Sequence, residues 1–424
     1  MPVSMRSSLL ALSLSFVSLS GVFAQVGGYK ELSKSDWPWW RGPLHNGMAD
    51  ADPSLVTEWT NDSNVLWSAD LPGRGNSSPT VVGTTIYLTT CNEETGSQTI
   101  LAIDRRNGKP LWKTDVFVSG AMRKNSRSTG ASSTLACDGK QLYGTFANNG
   151  GVHLVALTLA GAKVWEQKLC DYQIHQGYGA SPALYENLVI AIADTKGGGA
   201  IAAFQRATGS LVWKRERPSN PNYPSPIILP IGGKDQLLMT GCDLVTSLDP
   251  KTGSTNWEVE GATTECVTST VTDGVHVYSS GGYPTNHVAA IKADGSKTIA
   301  WTNKSRVYVP SMLMKEGYLY AVMDEGIAVC WKSDTGKEMW KQRLGGNFSA
   351  SPVLVGDRIY AINETGETFV FRASPEKFEK IASNKLGDEA FATPTICGGK
   401  IYLRVAVGAG DQRQEKLYCI GKKE

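Results

Sequence analysis

The chain has 424 residues, 41% of them hydrophobic and 19% charged, with 45 glycines and a net charge of +2. Length alone suggests two or three domains, but convincing amphipathic helices are absent beyond the N-terminal leader, which favours an all-β protein. No Lys/Arg run is present, so nothing favours nucleic acid or an anionic membrane as a partner.

The leader carries Arg6, then an apolar stretch interleaved with Ser over residues 9–23, and Val22-Phe23-Ala24 before Gln25. That pattern predicts a secretory signal peptide, residues 1–24, and a periplasmic or secreted mature chain. Gln25 rather than Cys stands directly after the cleavage point, which argues against a lipid anchor, and no later stretch is apolar enough to span a membrane. Residues 25–59 form an N-terminal extension containing Trp37-Pro-Trp-Trp-Arg-Gly-Pro43. Trp37, Trp39 and Trp40 would serve sugar stacking, but three neighbouring exposed tryptophans invite aggregation. We read them as anchors that bury against the body of the protein.

From residue 60 to residue 424 one phrase repeats. Trp67, Trp112, Trp165, Trp213, Trp257, Trp301 and Trp340 each close a similar unit, whose fullest copy is Leu101-Ala-Ile-Asp104-Arg-Arg-Asn-Gly108-Lys-Pro-Leu-Trp112. A second mark runs in step: Ser78-Pro79, Ser132-Ser133, Ser181-Pro182, Ser225-Pro226, Ser269-Thr270, Ser311-Met312, Ser351-Pro352 and Thr393-Pro394. A period of roughly 40–50 residues means one supersecondary unit used many times. Within each unit, short β-branched and aromatic runs alternate with Gly, Asp and Asn, as in an antiparallel meander. Four strands fit, labelled A to D from the Ser mark to the Trp, and eight such units predict an eight-bladed β-propeller.

The eighth unit ends without a closing Trp, whereas Trp67 precedes the first Ser mark. Residues 64–68 are therefore expected to supply the outer strand of the last blade and latch the ring, which removes open edges. The seventh unit also lacks its Trp, and Phe378 or a neighbour is expected to replace it. Each blade Trp is read as a structural dock that lies over the next blade's turn glycine, its indole N–H meeting a carbonyl. The Asp and Thr before each turn are turn formers rather than catalytic carboxylates.

The eight cysteines and five histidines show no zinc spacing. Cys330 and Cys419 occupy the small inward position held by Ala102. Cys242 and Cys266 fall in two loop classes that share one face, and this makes them the candidate disulfide.

That face, where the loops into strand A and the B–C loops emerge, is where a localised function is expected. Tyr178, Tyr223, Tyr308, Phe348 and Phe391 stand two or three residues before a Ser mark and form an aromatic collar. Arg74, Arg127, His175, Glu265, Arg306, Asn347 and Glu389 are the polar residues beside it. Stacking and charge-assisted hydrogen bonds from such a set suit a peptide, a glycan or a flat ring compound. The competing reading is that the aromatics plug the channel mouth and the charges form a solvated rim. His175 has no identified nucleophile or carboxylate partner for acid–base work, and Arg123, Lys124 and Arg127 read as solvated surface.

The phrase ending Asp-x-x-Thr-Gly-Lys-x-x-Trp resembles the tryptophan-docking repeat of pyrroloquinoline-quinone (PQQ) dehydrogenases and related PQQ-like eight-bladed propellers, among them the outer-membrane protein assembly scaffold. The resemblance covers about residues 60–424, and Trp37 to Pro43 with Asn46-Gly47 is similar to the opening of a bacterial PQQ-like group. The enzymes of this family imply a vicinal Cys-Cys disulfide over the quinone, a Trp beneath it, a calcium held by Glu and Asn, and an Asp base. This chain has no Cys-Cys pair, no CxxCH haem motif and no Glu/Asn/Asp set at matching positions, and it is shorter than those enzymes. The expectation is a monomeric, non-catalytic binding or scaffolding module of the bacterial envelope. It would engage envelope proteins, peptides or a glycan through loops on one face, or by adding a strand at a blade edge. The alternative is a quinoprotein oxidoreductase that oxidises an alcohol or sugar with PQQ and calcium.

Overall fold

The computed structural model describes residue 29, residues 32–123 and residues 125–423; the expected signal peptide and Lys124 lie outside the described residues. Each sequence unit forms one antiparallel four-stranded sheet, and there are eight. In blade 1 the strands are Thr80–Val82, Thr85–Asn92, Ser97–Asp104 and Pro110–Phe117. Blades 2 to 7 span residues 136–171, 183–217, 227–260, 271–303, 313–343 and 353–385. Blade 8 takes three strands from residues 395–420 and its outer strand from Val65–Leu71, antiparallel to Gln414–Ile420. The ring is thus closed from the front of the chain, as the misplaced Trp67 predicted.

The tryptophan ladder locks neighbouring blades together. The rings of Trp67, Trp112, Trp165, Trp213 and Trp301 press on Gly108, Gly161, Gly209, Gly253 and Gly336 of the next blade. A Cβ at any of these glycines would sit 2.5–2.8 Å from a ring atom. The indole N–H groups of these five, and of Trp340, donate to carbonyls of the next blade at 2.7–3.2 Å. Trp257 departs from the rule. It bonds Gln236 Oε1 of its own blade at 2.9 Å, and Gly295 lies farther from its ring.

The Ser mark has an equally physical role. The backbone N–H of Ser78 donates to Thr134 Oγ1, that of Thr134 to Ser181 Oγ and that of Ser181 to Ser225 Oγ; Ser269, Ser311, Ser351 and Thr393 continue the series, all at 2.9–3.0 Å. A hydroxyl at this position ties neighbouring inner strands at these six seams, while Ser269 Oγ accepts the Trp40 indole instead. In blade 2 the belt residue is Thr134, not the expected Ser132 or Ser133, because Thr134 stands two residues before the inner strand at Ala136, as Ser78 does before Thr80 and Ser181 before Ala183.

Two further expectations are corrected. In blade 7 the cross-strand register that pairs Ala102 with Trp112 and Cys330 with Trp340 pairs Val370 with Ala382. Ala382 therefore takes the Trp position, while Phe378 packs on Trp340 of the preceding blade, ring centroids 5.6 Å apart. Trp59 of the N-terminal extension, buried in the same apolar cluster as Ala382, supplies the missing bulk. Its backbone N–H donates to Asn384 Oδ1 at 2.9 Å, and Asn384 returns a bond to the Thr57 carbonyl. Tyr360 donates to the Val56 carbonyl, whereas its counterparts Tyr87, Tyr143, Tyr278, Tyr320 and Tyr402 tilt against blade tryptophans. The expected Cys242–Cys266 bridge is also absent: all eight cysteines are free thiols. The Cys266 sulfur faces Thr263 and that of Cys242 faces Asn222, so the two are turned to different partners. Cys330 and Cys419 pair with Trp340 and Trp67 as Ala102 pairs with Trp112, and both are buried.

The extension also fills the ring axis. Trp37 exchanges backbone bonds with Val81 of blade 1, and Pro38 accepts from Cys137 N–H of blade 2. Trp39 stacks on His45 and belongs to the buried apolar cluster of blades 2, 3 and 4. The Trp40 indole donates to Ser269 Oγ at the entry to blade 5. Arg41 donates to the carbonyls of Met312 and Pro352, at the entries to blades 6 and 7. Met48–Ala49 then adds a parallel strand to the inner edge of blade 7. Five consecutive residues reach at most ~17 Å, so they bond to blades 1, 2, 5, 6 and 7 only by lying across the axis. Asp36 takes the Gly83 N–H and Tyr29 donates to the Glu186 carbonyl, which places this plug at the A–B turn end. The opposite mouth is left as the accessible end.

Candidate functional site: the mouth opposite the plug

The loops into strand A meet one another around this mouth. Tyr223 N–H donates to the Cys266 carbonyl, and Cys266 N–H to Asn222 Oδ1 at 2.7 Å, which fixes the loop into blade 5 against the loop into blade 4. One half of the mouth, from blades 3 to 6, is aromatic. The Tyr223 hydroxyl lies 3.0 Å from His175 Nδ1, and Glu265 Oε1 lies 3.6 Å from the same nitrogen. The Arg306 guanidinium covers the Tyr308 ring at 5.1 Å and donates to the Gly282 carbonyl. Asp324 accepts the backbone N–H groups of Tyr308 and Val309 at 2.8 and 3.2 Å, while burial pushes its carboxyl up. Burial, followed by the nearby Glu265 charge, pushes the Tyr308 phenol up to about 12 and raises that of Tyr223 as well.

The other half, from blades 7, 8, 1 and 2, is ionic. Arg123, Glu93, Arg74, Glu389, Arg413, Glu415 and Arg404 form a chain of alternating charges with N–O separations of 2.6–3.8 Å. Arg404, almost fully buried, also donates to Ser77 Oγ and the Thr89 carbonyl of blade 1. The chain therefore crosses the seam where the ring closes. Arg127 pairs with Glu364 of blade 7 at 3.1 Å, and Glu364 accepts from Ser349 Oγ. That pair joins blades 2 and 7 over the two blades between them. The exposed surface of such pairs adds little stability, but the buried Arg404–Glu415 pair makes either partner costly to remove.

The predicted residues are thus divided by depth. His175, Tyr223, Glu265, Arg306 and Tyr308 come together, as do Arg74 and Glu389, with Phe391 beside them at a water-sized cavity of about 10 Å³. Asn347 is exposed and lends its carbonyl to Glu364 N–H. Tyr178 donates to the Ile192 carbonyl and packs edge-on against Tyr172, and Phe348 packs on Phe369; both are buried beneath the surface. Sequence reasoning missed Glu93, Asp324, Glu364, Arg404, Arg413 and Glu415. Arg404 had left a signal, a charge inside the apolar run Ile401-Tyr-Leu-Arg404-Val-Ala406.

Interlocked tryptophans, eight four-stranded blades and a plugged axis define a closed PQQ-like propeller with one accessible mouth. The chain matches the profile of the family described as outer membrane protein assembly factor BamB over residues 48–171, 96–342 and 284–377, and it belongs to that family. Among solved structures it is similar to the quinohemoprotein alcohol dehydrogenase of Comamonas testosteroni, with 15% identity, a TM-score of 0.67, and coverage of 93% of this chain and 82% of that one. It is also similar to a europium-containing methanol dehydrogenase, with 11% identity, a TM-score of 0.69, and coverage of 92% and 99%. BamB from Moraxella catarrhalis gives 14% identity, a TM-score of 0.59, and coverage of 83% and 95%. At these identities the likeness is one of fold. No curated protein matches the chain. Among the described residues no helix is long and apolar enough to cross a membrane.

Proposed function

We propose that the protein is a non-catalytic binding or scaffolding propeller of the bacterial envelope, which holds a peptide segment of a partner protein across the mouth opposite the plug. The observation that carries this reading is the combination of a blocked axis with a mouth whose loops are bonded to one another. Such a surface is rigid and broad, and it offers aromatic rings beside fixed charges, a composition suited to protein partners. Membership of an envelope assembly family supports the same location and role. Substituting Tyr223, Tyr308 and Phe391 together by Ala is expected to weaken capture of envelope partners at least about tenfold, since half-exposed aromatic anchors of this kind dominate binding. The melting temperature should fall by only a few degrees, and unchanged capture would move the site elsewhere.

The quinoprotein reading rests on fold likeness, and the residues at the mouth do not fit it. Among the described residues no group of three His, Cys, Asp or Glu is placed to hold a cation. Glu93, Glu364, Glu389 and Glu415 are already paired with arginines. A titration with PQQ and Ca²⁺ tests this directly. Saturable quinone absorbance together with dye-linked alcohol oxidation would overturn the scaffold reading.

A further inference from the structure

The carboxylates of the mouth differ in how they are satisfied. Glu93 faces Arg74 and Arg123, Glu364 faces Arg127, Glu389 faces Arg74 and Arg413, and Glu415 faces Arg404 and Arg413. Asp324 takes two backbone N–H groups. Glu265 has neither. Its side chain is only 10% exposed, its one cationic neighbour within 4 Å is His175 at 3.6 Å, and among the described residues no hydrogen-bond donor reaches its carboxylate. With no internal donor, this carboxylate is left to water or to a partner from outside. Its position is nevertheless fixed: Glu265 N–H donates to the Tyr283 carbonyl, and the adjacent Cys266 is bonded to Asn222 and Tyr223.

The surroundings select the missing partner. The Tyr223 hydroxyl and Glu265 Oε1 share His175 Nδ1, and Glu265 bridges Tyr283, whose neighbour Gly282 lies against Tyr308, so a group that reaches the carboxylate meets aromatic side chains beside it. Cations are attracted to both. Arg306 does not fill this role, because its guanidinium is spent on the Tyr308 ring and the Gly282 carbonyl.

We propose that Glu265, flanked by Tyr223 and Tyr308, is the anchor for a Lys or Arg side chain of the peptide bound at the mouth. This rests on the mouth being the binding surface. The loop that carries Glu265 is already held by backbone bonds to Tyr283, Asn222 and Tyr223, so little ordering cost is set against the ion pair.

Calorimetric titration with tetra-arginine and with its neutral counterpart tetra-citrulline tests the assignment. The wild type should bind tetra-arginine about tenfold more tightly than tetra-citrulline. Glu265→Gln should equalise the two while folding about as stably as the wild type, because the carboxylate accepts no hydrogen bond within the protein that the amide would lose. Tyr308→Ala should weaken both peptides. A tenfold preference that survives in Glu265→Gln would overturn the proposal. Equal binding of both peptides by the wild type, weakened by Tyr308→Ala, would also overturn it while leaving the mouth as the binding surface. Absence of binding by either peptide would remove both readings.

Discussion

A chain that begins at residue 72 is expected to show no cooperative thermal transition. Its loss is twofold. The outer strand of blade 8, Val65–Leu71, disappears, which exposes the edge of Gln414–Ile420 and leaves Gly108 of blade 1 without the Trp67 ring. The axial plug goes with it, and so do Trp37, Trp39, Leu55 and Trp59, all buried. Each large buried side chain contributes about 1.5–3 kcal/mol, so these groups together account for roughly 10 kcal/mol, comparable with the whole stability of a typical domain, about 5–15 kcal/mol. Interactions elsewhere in the ring do not compensate, because every blade depends on the next. Adding a peptide of residues 60–74 should restore part of the transition by strand addition to the open edge. A truncated chain that melts cooperatively near the temperature of the full chain would show that the latch is dispensable.

What the sequence made legible follows from repetition. The Trp ladder, the turn glycines and the small residues Ala102, Cys330 and Cys419 all obey one cross-strand register, and a register repeated along the chain is visible as a period. The Ser mark was visible for the same reason. Its role was not, because each hydroxyl bonds a backbone N–H about one blade away. Features that occur once left no period to read. Residues 37–41 bond to five blades around the ring, yet nothing in their local pattern says that they lie on an axis. Ala382 is an unremarked small residue until its register with Val370 is known, and only then does Trp59 acquire a purpose. The ionic half of the mouth depends on pairs such as Arg74–Glu389 and Arg127–Glu364, which join opposite ends of the chain. The free thiols of Cys242 and Cys266 show the limit of loop-class reasoning: a shared face brings two residues near, while the direction of each side chain decides whether sulfurs meet.

Gly47→Ala is expected to destabilise the ring far more than Gly83→Ala, although both glycines adopt the left-handed backbone conformation, at φ +75° and +58°. The conformational cost for Ala is about 1–2 kcal/mol at either position. The surroundings differ. Nothing lies within 4 Å of a Cβ at Gly83, whereas a Cβ at Gly47 would come within 2.5 Å of the Arg41 guanidinium carbon. That guanidinium has no freedom to retreat, because it donates to the carbonyls of Asn46, Met312 and Pro352. Among the described residues no carboxylate pairs with Arg41, and burial pushes its pKa down to about 9, so at neutral pH the cation relies on these carbonyls alone. Displacing it breaks charge-assisted bonds worth about 1.5–3 kcal/mol each and loosens the contacts to blades 6 and 7 together. The extra cost at Gly47 over Gly83 should therefore be about 2–4 kcal/mol, read as a lower midpoint in chemical denaturation with an unchanged slope. Equal midpoints for the two variants would mean that Arg41 does not pin the plug, and the axis would then be held by the tryptophans alone.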